Sequence, residues 1–178
     1  MKAGASFLND MLALSHVPRW AIVRHAVPQS VADHSFRVAA IVIELWLRLG
    51  PPEVNLGNLV IRALTHDVNE SVTSDIPSVI KDRSIVPAQY TKPVLLDFTR
   101  QELDLVSLAG KLEEYTWIVM NGTGYHAQEV ADSLLQALKD RYDQTPAGDI
   151  LPDLIREIVM EEGRLRTHAD FPASQEPR

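Results

Sequence analysis

Apolar residues recur at helical spacing along most of the chain, while sustained alternation of apolar and polar residues is rare. A period of three to four residues is typical of amphipathic helices, and a period of two is typical of strands. The pattern therefore predicts an all-α fold, a single compact bundle of about six to seven helices. The predicted helices cover residues 5–14, 30–49, 56–70, 99–120, 126–142 and 149–165.

Residues that start and stop helices support these boundaries. Ser30 is followed by Asp33 at the third helical position, which is a capping box with Asp in place of Glu. Gly50 and the two prolines after it end the same helix. Residues 73–93 contain three prolines, so we predict a loop with short helical pieces there.

The composition fits one domain with one buried core. The chain has 178 residues, of which 46% are hydrophobic and 23% are charged, and this size supports a single core. The polar segment 167–178 contains two prolines and is predicted to be a disordered tail, so we expect the domain to cover residues 1–166. The lack of cysteine excludes disulfides and thiolate metal sites, so a metal would be held by imidazole and carboxylate groups.

Charge and hydropathy argue against nucleic acids and membranes as partners. A net charge of −7 and a pI near 5.3 do not fit a broad surface that tracks phosphates, although a few local basic residues could hold one small anion. The longest apolar run, Val38 to Ile43, is far shorter than the ~20 residues that span a bilayer. The N-terminus lacks the apolar core of a secretory signal. We therefore expect a cytoplasmic protein.

The segment LTHDVNE, residues 64–70, carries the candidate chemistry. His66 and Asp67 are adjacent, and on a helix their side chains would point about 100° apart, so other helices must supply further ligands. His34 lies among apolar residues near the start of the second predicted helix. Each histidine alone could be a satisfied core residue, but burying Asp67 without a cation or a donor is unfavourable. We therefore expect these three side chains to bind a metal ion.

A fourth ligand is expected from later in the chain. Asp132 lies in a predicted helix with an otherwise apolar face, so we predict that its carboxylate faces the core and the metal. Asp104, Glu113 and Glu114 are the alternatives, and each is more easily interpreted as part of a solvated helix face.

The ordered set His34, His66-Asp67 and Asp132 resembles the H…HD…D signature of HD-domain metal-dependent phosphohydrolases, which are all-helical. Four blocks resemble the small branch of deoxynucleoside 5′-monophosphatases in order and spacing: RW at 19–20, HSFRVA at 34–39, HDVNE at 66–70 and SDIPSVIK at 74–81. The segment VSLAGKLEEY also resembles the Ala-Asp helix of this family, but it has Gly110 where an aspartate would be needed. Glycine has no side chain that could ligate a metal, so Asp132 is preferred.

The resemblance implies one divalent metal ion, Zn²⁺, Mn²⁺, Co²⁺ or Fe²⁺, held by His34, His66, Asp67 and Asp132. Such an ion lowers the pKa of a bound water and draws charge from a phosphoryl group. Asp67 and Glu70 would be the catalytic residues, with Glu70 positioning or deprotonating the attacking water. The plain alternative for Glu70 is a surface acid.

The resemblance also implies a deoxynucleotide pocket. Asp75 would contact the sugar 3′-hydroxyl and crowd out a ribose 2′-hydroxyl. Arg19 would contact phosphate. Lys81 would do the same, with plain surface solvation as the alternative. Trp20 would offer its flat ring to the base, and Ile22 would help to wall off the purine 2-position. The alternative for Trp20 is ordinary core packing.

The short chain and the segment VPRWAIVRH, residues 17–25, are similar to a phage group of dATP triphosphohydrolases. This similarity favours cleavage of dATP to deoxyadenosine and tripolyphosphate, which would deplete dATP in a phage that uses diaminopurine. Further Mg²⁺ or Co²⁺ would accompany the triphosphate. The first alternative is a deoxynucleoside 5′-monophosphatase, and the second is a non-catalytic nucleotide-binding helical module. Family members commonly self-associate, so a homo-oligomer is expected.

Overall fold

The computed structural model describes residues 7–51, 53–75, 97–143 and 145–170, with side chains described as far as residue 160. Within these residues the secondary structure is helical, and the predicted all-α class is confirmed. The elements are α1 (Phe7–Ala13), a 3₁₀ turn (Leu14–His16), α2 (Val31–Leu49), α3 (Leu56–Thr65), α4 (Glu70–Thr73), α5 (Arg100–Asn121), α6 (Tyr125–Tyr142) and α7 (Pro146–Asp170).

Helix α2 packs against α3 and α5, and α5 also packs against α6 and α7. The apolar faces of these helices form the main core. Its members include five side chains that are at most 1% exposed: Val38, Leu45, Leu59, Leu112 and Leu138. Burying one such side chain contributes roughly 1.5–3 kcal/mol, so helical amphipathicity is the principal source of the fold's stability.

A smaller core attaches the segment before α2 to the helices α5 and α6. Its members are Val23, Trp117, Ile118, Ala127 and Ala131. Backbone bonds reinforce the attachment, because the N–H of Thr123 donates to the carbonyl of Arg24 at 2.8 Å. A Cβ on Gly122 would come within 2.6 Å of the Ile118 carbonyl oxygen, so the turn between α5 and α6 requires glycine at that point.

Helix α2 begins as the sequence predicts. The Ser30 hydroxyl accepts a hydrogen bond from the N–H of Asp33 at 3.1 Å, and the Asp33 carboxylate accepts one from the N–H of Ser30 at 3.0 Å. The helix ends at Gly50, whose φ of 53° lies in the left-handed region that favours glycine. Helix α5 begins with a second capping box, formed by Thr99 and Glu102.

Helix α3 ends at Thr65, whereas the sequence pattern predicted a helix to about Glu70, so that boundary was wrong. The N–H groups of Val68 and Glu70 donate to carbonyls three residues earlier, at 3.2 and 2.9 Å. Bonds of this kind tighten the chain into a turn at residues 66–69 instead of continuing an α-helix. The His-Asp doublet therefore lies on a turn between α3 and α4.

Some predictions fall on residues outside the described part of the chain, namely most of the loop at 73–93 and the tail from residue 171. Helix α7 continues to Asp170, past the predicted start of the tail at residue 167. Among the described residues, every helix is too short or too polar to cross a membrane. The cytoplasmic location stays a prediction.

Candidate metal centre

Three of the predicted metal ligands converge. Ligand atoms of His34, His66 and Asp67 all lie within 4.8 Å of one another. The Asp67 Oδ2 atom is 3.2 Å from His66 Nε2 and 3.7 Å from His34 Nε2. Helix α2 supplies His34, which is 2% exposed, and the turn after α3 supplies the other two side chains. Two imidazoles and one carboxylate are a donor set suited to Zn²⁺ and similar divalent ions.

Each imidazole is held at its Nδ1 atom, which leaves Nε2 for a metal. His66 Nδ1 lies 2.7 Å from the carbonyl oxygen of Ala63, which can only accept, so Nδ1 carries the proton. His34 Nδ1 lies 2.5 Å from Glu113 Oε2. In a neutral imidazole with its proton on Nδ1, Nε2 carries the lone pair that a metal requires. Both Nε2 atoms are the ones near the Asp67 carboxylate.

The surroundings keep His34 neutral. Burial lowers the pKa of His34, and the positive charge of Arg19 lowers it further. Glu113 raises the pKa of His34, but without reversing the net downward shift. A neutral imidazole retains its lone pair, so His34 is able to bind a cation at neutral pH.

Glu113 of α5 belongs to this site, so its interpretation as part of a solvated helix face was wrong. Its side chain is 0% exposed. Besides contacting His34, it accepts hydrogen bonds from Gln29 Nε2 at 2.7 Å and from Arg37 Nε at 2.9 Å. Burial would raise the pKa of Glu113, but the hydrogen bond with His34 and the positive charges of Arg19 and Arg37 outweigh burial and hold the pKa below its ordinary value.

Arg19, a predicted phosphate contact, is buried beside the metal group. Its guanidinium lies 3.0 Å from Glu114 Oε1 and 3.9 Å from Asp67 Oδ2. Burial would lower the pKa of Arg19, but the surrounding carboxylates, Glu114 foremost, outweigh burial and raise it. Among the described residues, its Nε–H has no hydrogen-bond partner. The side chain is thus a fixed cation with a free donor next to the candidate metal ligands.

Glu70 is the first residue of α4 and is 4% exposed. Its backbone N–H donates to the carbonyl of Asp67 at 2.9 Å, which holds the start of α4 against the turn that carries the metal group. The alternative interpretation as a surface acid is therefore wrong. Its catalytic role stays a prediction.

The residues predicted to bind the base and the sugar lie partly together. The Trp20 ring stacks on Trp117, with centroids 5.1 Å apart and planes inclined by 5°. The backbone N–H of Trp20 donates to Asp75 Oδ2 at 3.3 Å, so these two predicted contacts are neighbours. Ile22 is 59% exposed, which leaves its side chain available to a ligand. Lys81 lies outside the described residues.

Asp132 was predicted to face the core, and this prediction was wrong. Its carboxylate lies on the exposed face of α6 and accepts a hydrogen bond from Gln128 Nε2 at 2.9 Å. Helix α6 turns the neighbouring Ala131, which is 5% exposed, into the smaller core instead. Within the described residues the metal group does not include Asp132, so its assignment as the fourth ligand is a question for mutation. Asp104 pairs with two arginines at the surface, as expected for a solvated residue.

Comparison with known proteins connects this geometry to a family. A family model described as 5′-deoxynucleotidase YfbR-like matches residues 6–94. A dATP triphosphohydrolase of Salmonella phage PMBT28 is 31% identical over 151 residues, which cover 76% of this chain and 76% of that protein. The chain belongs to the YfbR-like 5′-deoxynucleotidase family of HD phosphohydrolases. The resemblance found in the sequence is confirmed, and so is the prediction of a hydrolase of deoxynucleotides.

The chain is also similar to a bacterial 5′-deoxynucleotidase in sequence and to a phage HD phosphohydrolase in structure. A 5′-deoxynucleotidase YfbR of Photorhabdus temperata is 25% identical over 142 residues, covering 75% of this chain and 71% of that protein. The solved structure of the Cyanophage S-2L HD phosphohydrolase DatZ, bound to dA and one catalytic Zn²⁺ ion, matches with a TM-score of 0.72 and 23% identity. That match covers 90% of this chain and 99% of the DatZ chain. At this identity the likeness establishes the HD-domain fold.

Proposed function

We propose that this member of the family hydrolyses dATP to deoxyadenosine and tripolyphosphate. The observation that carries the proposal is the convergence of His34, His66 and Asp67 in a chain 31% identical to a phage dATP triphosphohydrolase. In this reaction the oxygen of water bonds to the α-phosphorus. The bond between that phosphorus and the sugar 5′-oxygen breaks, and the 5′-oxygen takes up a proton.

One divalent metal ion fits the residues of the site. The donor set of His34, His66 and Asp67 combines two imidazoles with a carboxylate and contains no thiolate, which suits Zn²⁺, Mn²⁺, Co²⁺ or Fe²⁺. Such an ion, when bound, supplies a water of lowered pKa and withdraws charge from the phosphoryl group. Because the solved structure of DatZ contains one catalytic Zn²⁺, Zn²⁺ is the first ion to test. We also propose that further Mg²⁺ or Co²⁺ ions bind together with the triphosphate. Titration of these two ions in the presence of dATP tests this.

Each charged residue around the site would have a separate role in the reaction. The buried carboxylate of Glu70 would position the attacking water and accept its proton. Arg19 would direct its free Nε–H and its charge at a phosphate oxygen, where negative charge increases in the transition state. Lys81 would neutralise the outer phosphates, by its place in the matched sequence block.

The base and the sugar would bind beside this centre. Trp117 covers one face of the Trp20 ring, so the base would use the other face or the ring edge. Asp75 lies next to Trp20 through the bond to its backbone, and it would contact the sugar 3′-hydroxyl. The exposed side chain of Ile22 would crowd a substituent at the purine 2-position. This contact would allow the site to discriminate dATP from its 2-amino analogue.

A second candidate function is that of a deoxynucleoside 5′-monophosphatase. The matched family model, which is described as 5′-deoxynucleotidase YfbR-like, favours it, as does the similarity to the Photorhabdus temperata enzyme. The same residues would then release inorganic phosphate from dAMP. A third candidate, a non-catalytic nucleotide-binding module, would retain the metal and bind nucleotide without turnover.

The products distinguish these functions. The purified protein is incubated with each dNTP and dNMP and with Zn²⁺, Mn²⁺ or Co²⁺, and the products are resolved by anion-exchange chromatography. Deoxyadenosine and tripolyphosphate from dATP would support the proposal, whereas phosphate from dAMP alone would establish the second candidate. Binding without any turnover would establish the third. His66→Ala is the control for a contaminating phosphatase, because it removes a proposed ligand and should abolish the activity.

We also propose that the protein forms a homo-oligomer, as the family resemblance implies. Size-exclusion chromatography with light scattering measures the mass directly. A mass equal to that of one chain, 19.9 kDa, across the micromolar range would contradict this expectation.

A further inference from the structure

Glu113 lies at the centre of a buried chain of hydrogen bonds that connects the metal group to Trp20. Starting from the metal group, the chain runs from His34 to Glu113, from Glu113 to Gln29, and from Gln29 to the Trp20 indole. Glu113, His34 and Gln29 are 0%, 2% and 3% exposed. Water therefore has little access to compete for these bonds.

At one end, the chain orients a candidate metal ligand. Glu113 Oε2 lies 2.5 Å from His34 Nδ1, so the ring donates from Nδ1 and keeps its Nε2 lone pair beside Asp67. A carboxylate that binds the outer nitrogen of a ligating histidine fixes the tautomer and the ring orientation. The ring cannot rotate without breaking a charge-assisted bond inside the core.

At the other end, the chain orients the candidate base-stacking ring. Glu113 Oε1 accepts from Gln29 Nε2 at 2.7 Å, so the other amide atom of Gln29, its oxygen, faces Trp20 and accepts from the indole Nε1–H at 2.7 Å. This arrangement permits one amide orientation only, because Glu113 offers acceptors and Trp20 offers a donor. Trp20 has a φ of 64°, a backbone conformation that few non-glycine residues adopt. Its ring is held by the stack on Trp117 and by the hydrogen bond to Gln29.

We propose that Glu113 is a positioning residue: its single carboxylate holds His34 as an Nε2 metal ligand and, through Gln29, holds the Trp20 ring at a fixed distance from the metal group. The Trp20 half of this inference rests on the proposed function, since it takes Trp20 to contact the base. The His34 half concerns metal binding alone.

The physical benefit is that the metal ligand and the base contact are ordered before the substrate arrives. Catalytic groups must be held to within about 0.5 Å of their productive positions, and their supporting contacts decide this. A single rigid chain of buried bonds aligns the phosphate end of a nucleotide with its base end. Arg37 stabilises the same carboxylate through its bond to Oε1.

The first test is the metal affinity of Glu113→Gln, measured by competition with a fluorescent Zn²⁺ chelator in the absence of any nucleotide. Removing such a carboxylate is expected to weaken metal binding by about 10- to 100-fold. The absorption spectrum of the Co²⁺ form should also change, since its ligand field depends on the His34 ring. Glu114→Gln is the matched control, because it makes the same change one residue later, at a carboxylate bound to Arg19 instead of a histidine. We expect its metal affinity to stay within about threefold of the wild-type value, because a carboxylate bound to Arg19 does not set the tautomer of a metal ligand.

The second test uses Gln29→Leu. This change interrupts the chain of hydrogen bonds between Glu113 and Trp20 and leaves the contact between Glu113 and His34 in place. The probe is deoxyadenosine, which has no phosphate, and the signal is quenching of tryptophan fluorescence. The affinity for deoxyadenosine should fall by about two- to tenfold, the worth of the one hydrogen bond that Trp20 loses, while Zn²⁺ affinity changes by less than about threefold. This variant also keeps the proposal testable should circular dichroism show that Glu113→Gln is unfolded.

Several outcomes would overturn the inference. Unchanged metal affinity and an unchanged Co²⁺ spectrum in folded Glu113→Gln would refute the part of the inference that concerns His34. An equal loss of metal affinity in Glu114→Gln would also refute it, because the effect would then come from net charge. Unchanged deoxyadenosine binding in Gln29→Leu would remove its Trp20 half. Because the metal measurements involve no nucleotide, they hold even if dATP proves not to be the substrate.

Discussion

The carboxylate of Glu102 ties the start of α5 to the start of α3, and its loss should measurably destabilise the fold. Glu102 is 1% exposed. One carboxylate oxygen accepts a hydrogen bond from the backbone N–H of Thr99 at 2.8 Å. The other accepts from the backbone N–H of Asn55 at 3.3 Å and from Asn58 Nδ2 at 3.1 Å. Three donors from two separate parts of the chain therefore depend on one buried charge.

Glu102→Gln is the sharpest perturbation because it preserves the volume and removes the charge. The amide keeps one accepting oxygen but turns the other into an NH₂ group that must face a donor. A buried hydrogen bond to a charged group is worth about 1.5–3 kcal/mol, so we expect the free energy of unfolding to fall by about 2 kcal/mol. For a domain of this size, that loss lowers the melting temperature by roughly 4–8 °C.

The effect should depend on pH in a defined direction. Burial would raise the pKa of Glu102, but the hydrogen bonds from Thr99, Asn58 and Asn55 outweigh burial and hold the pKa below its ordinary value. A carboxyl whose pKa is lower in the folded state stabilises the fold above its unfolded pKa, which is about 4.3. That stabilisation is lost as the pH falls through the lower folded pKa. The difference between wild type and Glu102→Gln should thus be constant from neutral pH to about pH 5.5 and shrink below about pH 4.3.

The assay is urea unfolding followed by circular dichroism at a series of pH values. Glu53→Gln is the control, since it makes the same change at an exposed glutamate close to α3, and it should alter the free energy of unfolding by less than about 0.5 kcal/mol. A Glu102→Gln effect as small as that of the control would refute the reasoning. A difference that grows as the pH falls would refute the assigned direction of the pKa shift.

Three further predictions concern the site. His66→Ala should lower bound metal from about one ion per chain to near zero after dialysis, as measured by mass spectrometry of the element; full retention would exclude the proposed ligand set. Asp132→Asn should retain the ion because the Asp132 carboxylate is exposed. Loss of the ion in this variant would show that Asp132 is the fourth ligand. Trp117→Ala should lower the free energy of unfolding by about 3–5 kcal/mol, because the ring is 4% exposed and stacks on Trp20; a loss below about 1 kcal/mol in chemical denaturation would contradict that packing.

The sequence by itself determined the features that depend on near neighbours. The capping box of Ser30 and Asp33 was predicted because its two bonds form within one helical turn. The end of α2 at Gly50 follows from the backbone freedom of that residue. The His-Asp doublet was singled out for a similar reason, since a charge in an apolar segment requires a partner wherever the segment packs. Helical periodicity then sufficed for the all-α class.

Only the tertiary structure decided which later acid reaches the metal group. Glu113, Glu114 and Asp132 all lie on helices with apolar neighbours, and a rotation of about 100° per residue separates a buried carboxylate from a solvated one. The one available signal was that Ala109 and Trp117, four residues to either side of Glu113, are apolar, which places Glu113 on a buried stripe. Which stripe faces His34 depends on how α5 packs on α2, and that is settled by contacts between residues 79 positions apart in the chain. Local patterns cannot encode such a rotation, because it is a property of the assembled core.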